Sequence, residues 1–211
     1  MKIRSSALVT LAVSVMVILI GIVLAVTGMG LKHYSQSFRP ADITQMLWAM
    51  LAVVILLFVF GFVRYDMPGG LALGVAGLHD QLLTLALTTL ASIAFVQSYS
   101  MPALVVGSAV FTCCFSVPVL REARLIGKSV SLREHTREEV AGMAVKKTMP
   151  VVILVGAVAL LIFIAFAVSG NSLMIGFMLP VLAGIVASFL SATRITPYLW
   201  AAAASRSRSK R

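Results

Sequence analysis

Charged residues are scarce in this chain, and acidic residues are the scarcest. Only 11% of its 211 residues are charged, with 7 Asp and Glu against 17 Lys and Arg. A soluble domain has about 25% charged residues, so this composition excludes an ordinary soluble globular protein. The two cysteines, Cys113 and Cys114, are adjacent, and neighbouring residues rarely have the geometry for a disulfide. The sequence therefore offers no disulfide framework.

Long apolar runs make up most of the chain. Hydrophobic residues account for 60% of it, and a helix needs about 20 apolar residues to cross the hydrocarbon core. The runs that come within a few residues of that length are 7–29, 46–63, 71–96, 102–119, 149–168 and 173–193. The first is longer than a signal-peptide core and no clear cleavage site follows it, so we expect it to be retained. We predict an all-α, polytopic membrane protein with six helices, whose residues 1–211 form one transmembrane domain.

Basic residues predict the orientation of these helices. Lys and Arg accumulate in cytoplasmic loops, and with six passes all of them except Lys32 and Arg39 fall on the side of both chain ends. We therefore expect cytoplasmic N and C termini, a short outer loop at 30–45, a cytoplasmic amphipathic segment at 120–148 and a basic tail at 201–211. The amphipathic segment is either one or two helices lying on the membrane surface or a solvated connector. The net charge of +10 is expected to meet anionic lipid headgroups and not nucleic acid.

Two ionisable residues, His79 and Asp80, fall near the middle of a predicted membrane helix. A charge at that depth costs about 3 kcal/mol on insertion scales, and such residues usually face the interior of a helix bundle. The pair is either a proton-responsive site or a buried polar pair bonded to a neighbouring helix. Thr84, Thr88 and Ser92 continue a polar stripe from Asp80 at four-residue spacing. That stripe suits a proton path and equally suits hydrogen bonding between helices.

Small residues predict close helix packing on two of the runs. Small residues about four positions apart let membrane helices approach and pack by van der Waals contact. The predicted helix-packing positions are Gly70, Gly74, Gly77, Gly176, Gly184 and Ser188.

Recognisable catalytic and metal-binding motifs are missing from the sequence. It has no P-loop, no glycine-rich dinucleotide turn, no His-Glu-x-x-His motif and no Ser-His-Asp set. Its histidines are His33, His79 and His135. They are expected on the outer side, within the membrane and on the cytoplasmic side, respectively, so they cannot share a metal ion. We therefore expect no enzymatic activity, no metal and no cofactor.

The stretch 62–87 resembles the second-to-third helix region of SecF, the protein-export subunit that works with SecD beside the Sec translocon. SecF proteins carry an aromatic-basic turn, then a Gly/Ala-rich helix with a Leu-His-Asp-x-Leu-x-Thr-Leu motif, and residues 78–85 read LHDQLLTL. The last helix is similar too, with Gly-Phe at 176–177 and Gly-Ile-Val at 184–186. The resemblance covers about 46–200. It implies a six-helix bundle of the RND superfamily in a prokaryotic cytoplasmic membrane.

This resemblance implies an accessory subunit of protein export or membrane-protein insertion that is linked to the proton-motive force. The implied partners are a SecD-like subunit, a SecYEG-type translocon and the translocating polypeptide. Two alternatives stay open at this point. One is a small RND-type proton-coupled transporter half that acts as an oligomer, and the other is a membrane scaffold that transports nothing.

Two departures from the SecF pattern bear on mechanism. The family holds a sizeable folded domain between its first two helices, where this chain has only the segment 30–45. The acid of the family's fourth helix falls on Phe115, which cannot titrate, and the family's Arg at the start of the fifth helix falls on Lys147. The resemblance therefore implies a reduced proton machinery, whose remaining candidates are His79, Asp80 and Lys147.

Overall fold

A computed structural model describes residues 3–26, 40–95, 99–129, 135–168 and 172–208. Every regular element in these ranges is helical, which confirms the all-α class. The α-helices are α1 Ile3–Val26, α2 Pro40–Phe95, α3 Met101–Ser129, α4 Arg137–Val168, α5 Ser172–Leu190 and α6 Thr196–Arg208. A π-helical turn, Ser191–Ile195, joins α5 to α6.

Long apolar helices confirm the membrane class. Within the described ranges, 5 helical stretches are long and apolar enough to cross a membrane: Ala7–Leu24, Thr44–Ala94, Met101–Ser129, Arg137–Phe166 and Gly176–Ser205. The second of them has 51 residues, whereas one crossing needs about 20.

The long helix α2 is broken at Asp66, and its two arms lie side by side. Asp66 has φ 65° and ψ −177°, a backbone conformation that is essentially reserved for glycine. A Cβ atom on Gly61 would lie 2.8 Å from the carbonyl oxygen of Gly69, and one on Gly77 would lie 2.3 Å from Leu57 Cδ1. Residues before Asp66 (the first arm) and after it (the second arm) therefore form an antiparallel helical hairpin.

Three of the predicted packing glycines lie inside this hairpin. Gly70, Gly74 and Gly77 are on the second arm and face the first arm. A Cβ on Gly70 would stand 3.0 Å from Phe62 Cβ, and one on Gly74 would stand 3.0 Å from Phe58 Cβ. The two arms can approach this closely because the facing positions carry no side chain.

The other predicted packing residues are on α5. A Cβ on Gly184 would stand 3.4 Å from both Cα and N of Ser108, so the backbones of α3 and α5 nearly touch there. The Gly176 carbonyl accepts a hydrogen bond of 2.9 Å from the Ser100 N–H, just before α3. Ser188 is fully buried and faces α3 beside Thr112, at an oxygen–oxygen distance of 3.4 Å.

Most of the segment 120–148 is helical and extends α3 and α4. The end of α3 runs to Ser129, and α4 begins at Arg137. That early start has a local cause. The Glu139 N–H donates to Thr136 Oγ1 at 3.3 Å, and the Thr136 N–H donates to Glu139 Oε2 at 2.9 Å. This reciprocal capping box fixes the beginning of α4 ahead of its apolar run.

Residues 201–208 of the predicted basic tail are helical and belong to α6. Three predicted features lie outside the described residues. They are residues 30–39 of the outer loop, residues 130–134 of the cytoplasmic segment, and residues 209–211 of the tail.

A tip cluster of apolar side chains surrounds the bend of α2. It joins Tyr65, Leu120, Val140 and Trp200, so α2, α3, α4 and α6 meet there. One face of each helical extension is therefore buried in this core.

Polar contacts close the same end of the bundle. Arg124 on α3 donates to the carbonyl oxygen of Arg64, and its Nη2 lies 3.1 Å from Asp66 Oδ2. Arg137 stands over the Trp200 ring at 5.9 Å from the ring centroid. Arg124 is half-buried and Asp66 is exposed, so the pair contributes at most about 1 kcal/mol, and it joins α3 to the bend of α2.

A proline interrupts α3 before it reaches the tip cluster. Pro118 lies inside the helix and cannot donate a hydrogen bond to the carbonyl four residues earlier. The hydrogen-bond ladder of α3 therefore has a gap between its buried half and the Arg124 contact.

We predict that Gly61→Ala destabilises the protein by about 1–3 kcal/mol, since its methyl group would meet the backbone of the second arm and one arm would have to move. Gly156→Ala is the matched control. A Cβ on Gly156 would lie 3.7 Å from Phe115 Cζ, an ordinary contact, so its unfolding temperature should stay within a few degrees of wild type. Thermal unfolding in detergent, followed by circular dichroism, compares them. Equal unfolding temperatures for the two variants would contradict the hairpin contact.

Candidate functional site

Buried polar side chains gather around the middle of the second arm of α2. His79 is 7% exposed and Asp80 is 0% exposed. Because hydrocarbon offers no hydrogen bonds, a polar group at this depth needs partners within the protein. We call the resulting cluster of Ser14, His79, Asp80, Thr112 and Ser188 the polar centre.

His79 connects the second arm to α1. Its Nε2 lies 2.7 Å from Ser14 Oγ, and its Nδ1 lies 3.2 Å from Asp80 Oδ1. About two turns further along α1, the two helices also approach closely, as a Cβ on Gly21 would stand 2.4 Å from Ala86 Cβ. The short Ser14 side chain reaches the imidazole only because the helices are this near.

Asp80 connects the second arm to α3. Thr112 Oγ1 lies 2.6 Å from Asp80 Oδ2 and 2.8 Å from the Ser108 carbonyl oxygen. The threonine has one hydroxyl hydrogen, so it donates to one of these two acceptors at a time. Ser188 on α5 lies 3.4 Å from the same hydroxyl. The polar centre thus joins four helical segments, and its imidazole and carboxyl groups are in contact and can share a proton.

The structure does not bring the third predicted residue, Lys147, to the polar centre. Its Nζ pairs with Glu122 Oε1, and its side chain is 67% exposed. This pair connects α4 to the extended end of α3, near the tip cluster. Of the three candidates, His79 and Asp80 therefore lie in contact, and Lys147 lies apart from them.

Phe115, where the resemblance places the family's acid, is part of an aromatic cluster. Its side chain is 0% exposed, and its ring centroid lies 5.8 Å from that of Phe111 and 6.5 Å from that of Phe189. Val152 and Ala192 complete the apolar surroundings. Phe115 fills the space with an apolar ring one helical turn from Thr112, which leaves Asp80 as the carboxyl group of this region within the described residues.

The predicted polar stripe on the second arm is not explained by bonds between helices. In the ranges that the structure describes, the hydroxyl groups of Thr84 and Thr88 and the side-chain amide of Gln81 are buried without a hydrogen-bond partner. Ser92 donates to the Thr89 carbonyl of its own helix at 2.9 Å. A buried unsatisfied group costs about 1–3 kcal/mol, and these three side chains lack a partner among the described residues.

Sequence reasoning missed Ser14 and Thr112. The signal for Thr112 was present, because Ser108, Thr112 and Ser116 recur every four residues in an apolar run and so share one helix face. Ser14 gave a weaker signal, since a serine in an apolar helix often bonds only to its own backbone.

A protein-family model described as "Protein export membrane protein SecD/SecF, C-terminal" matches residues 29–206. Four members of the polar centre lie inside this match, and Ser14 lies before it. Comparison with curated proteins and with solved structures finds no match in either set.

We predict that Thr112→Val destabilises the protein by about 1–3 kcal/mol, because it removes the hydroxyl partner of a buried carboxyl group. Thr112→Ser should retain most of the stability. Thr148→Val is the matched control, since Thr148 is also buried but donates only within its own helix, to the Ala144 carbonyl at 2.8 Å and the Val145 carbonyl at 3.3 Å. Equilibrium unfolding in mixed detergent measures the free energy of unfolding of all three variants. If the two valine variants lose equal stability, the loss in Thr112→Val does not come from the contact with Asp80.

Proposed function

Because this chain belongs to the SecD/SecF family of protein-export membrane proteins, we propose that it is a SecF-like accessory subunit of the Sec machinery. It assists the passage of polypeptides across the prokaryotic cytoplasmic membrane or their insertion into it. The family match over residues 29–206 is the observation that carries this proposal. A SecD-like subunit and a SecYEG-type translocon are the proposed partners, and the translocating polypeptide is the proposed substrate.

The proposed link to the proton-motive force is the polar centre. His79 and Asp80 are in contact, are buried, and bond to α1 and α3. A proton gained or lost by this pair changes which hydrogen bonds Thr112 and Ser14 make. Such a change alters the contacts of the second arm with both neighbours, which is how a proton could act on helix positions. Lys147 is assigned a structural role, since its ion pair with Glu122 occupies it elsewhere.

The proposed topology has six passes with both termini in the cytoplasm. The hairpin of α2 supports it, because each arm is long enough for one crossing and the bend at Asp66 reverses the direction of the chain. The tip cluster then faces the cytoplasm, as does the exposed basic set Arg121, Lys128 and Lys146. These residues are placed to contact anionic lipid headgroups.

Cysteine labelling tests this topology. In a Cys113→Ala, Cys114→Ala background, Met67→Cys at the bend should react with a membrane-impermeant maleimide only from the cytoplasmic side. Met67 is 52% exposed, so a probe can reach it. Ser100→Cys, just before α3, should react only from outside. Labelling of both positions from the same side would contradict two crossings by α2.

We predict that Asp80→Asn abolishes the part of the export rate that depends on the proton-motive force, since an amide cannot take up the proton of a carboxylate. Glu138→Gln is the matched control and should export at the wild-type rate. Export of a reporter into inverted vesicles, with and without an ionophore, measures the effect. An unchanged ionophore-sensitive rate in Asp80→Asn would make Asp80 purely structural. A stable homo-oligomer that moves protons with a small substrate would instead support the transporter alternative.

A further inference from the structure

Five hydrogen-bond contacts connect two backbone carbonyls on different helices through the polar centre. In order, they join the Leu11 carbonyl to Ser14 Oγ at 3.0 Å, Ser14 Oγ to His79 Nε2 at 2.7 Å and His79 Nδ1 to Asp80 Oδ1 at 3.2 Å. Asp80 Oδ2 then lies 2.6 Å from Thr112 Oγ1, which lies 2.8 Å from the Ser108 carbonyl. The chain thus begins on α1 and ends on α3, and both of its ends are groups that only accept.

Counting hydrogens shows that these contacts cannot all be filled in an uncharged centre. Ser14 and Thr112 supply one hydroxyl hydrogen each. The imidazole of His79 and the carboxyl group of Asp80, taken together as a neutral pair, supply two more. Among the described residues, the ion-pair contact of Asp80 is with His79, and the groups that face the pair from α1, α3 and α5 are hydroxyls. A net charge in this position is costly, so the neutral count of four hydrogens for five contacts applies.

The contact without a hydrogen lies at one of the two ends, because the end carbonyls already accept from their own helices. In one arrangement, the contact between Ser14 and the Leu11 carbonyl lacks a hydrogen. Ser14 then donates to Nε2, and Nδ1–H donates to Asp80. The protonated carboxyl donates through Oδ2 to Thr112, which donates to the Ser108 carbonyl. In the other arrangement, the contact between Thr112 and the Ser108 carbonyl lacks a hydrogen, and the donor and acceptor of every other contact exchange roles. Thr112 donates to Oδ2, one proton lies between Oδ1 and Nδ1, and Nε2–H donates to Ser14.

We propose that Ser14, His79, Asp80 and Thr112 form one reversible hydrogen-bond chain between α1 and α3. Ser14 and Thr112 are its positioning residues, and the tautomer of His79 reports its direction. The inference deepens the proposed proton role of the polar centre and rests on it for its biological meaning. The two arrangements hold the same hydrogens and the same net charge, and they differ in which helix receives the final bond.

Removing either end hydroxyl selects one direction, because a buried donor without an acceptor is disfavoured more than an acceptor without a donor. In Ser14→Ala, an Nε2–H would have no acceptor, so His79 should carry its hydrogen on Nδ1. In Thr112→Val, the carboxyl proton would have no acceptor at Oδ2, so it turns to Nδ1 and His79 should carry its hydrogen on Nε2. The two variants are therefore expected to shift the tautomer ratio in opposite directions, by about tenfold each.

Nitrogen-15 NMR of histidine-labelled protein in lipid nanodiscs measures this ratio, because bare and protonated ring nitrogens resonate apart. The His79 signals are assigned by their loss in His79→Gln. Ser14→Thr and Thr112→Ser keep the hydroxyls and should restore the wild-type ratio. Ser108→Ala is the matched control, since that buried serine donates only to the Val105 carbonyl, at 3.1 Å, and keeps its own carbonyl.

A shift of the same sign in both variants, or no shift in either, would overturn the proposal. If Ser14→Ala does not fold, Thr112→Val still decides, because only a rise in the Nε2–H form supports the chain. Failure of the proposed function is a separate result. Opposite tautomer shifts together with normal export in Asp80→Asn would leave the hydrogen-bond chain standing and remove its role in export.

Discussion

A carboxyl group surrounded by hydrocarbon must obtain all of its hydrogen bonds from the protein, and Asp80 places this demand at the middle of the bundle. Its side chain is completely buried, and its partners are a histidine on its own helix and a threonine on α3. The histidine in turn needs Ser14 on α1. The relative positions of α1, α3 and the second arm of α2 are therefore set by the reach of three short side chains, and other packing contacts have to be compatible with that spacing.

The short polar side chains of the polar centre consequently depend on glycines, which have no side chain, at nearby helix contacts. A serine or threonine hydroxyl reaches a neighbouring helix only when the backbones are unusually close. Gly21 provides that approach between α1 and the second arm, and Gly184 provides it between α5 and α3. A larger residue at either glycine would separate helices that the polar centre joins. The same logic at Gly61, Gly69 and Gly77 keeps the two arms of α2 in contact beside it.

Features that depend on local composition could be predicted from the sequence, and features that depend on distant partners could not. The apolar runs predicted membrane helices, and the position of two ionisable residues within an apolar run drew attention to His79 and Asp80. The sequence left open whether 120–148 is helical or a connector, and the Thr136–Glu139 cap and one apolar face decide for helix in most of it. The last apolar run was placed only to residue 193, whereas a π-helical turn carries the helix onward into α6. The resemblance named Lys147 as a candidate beside His79 and Asp80, whereas the structure pairs it with Glu122.

The gap that Pro118 leaves in the ladder of α3 has a mechanical consequence. With a rise of about 1.5 Å per residue, the stretch from Thr112 to Arg124 is about 18 Å long, and without the proline it would behave as a single stiff rod. Because one bond is missing between Thr112 and Arg124, bending α3 there costs less than bending an uninterrupted helix. A rearrangement at the polar centre is therefore transmitted less stiffly to the Arg124–Asp66 contact.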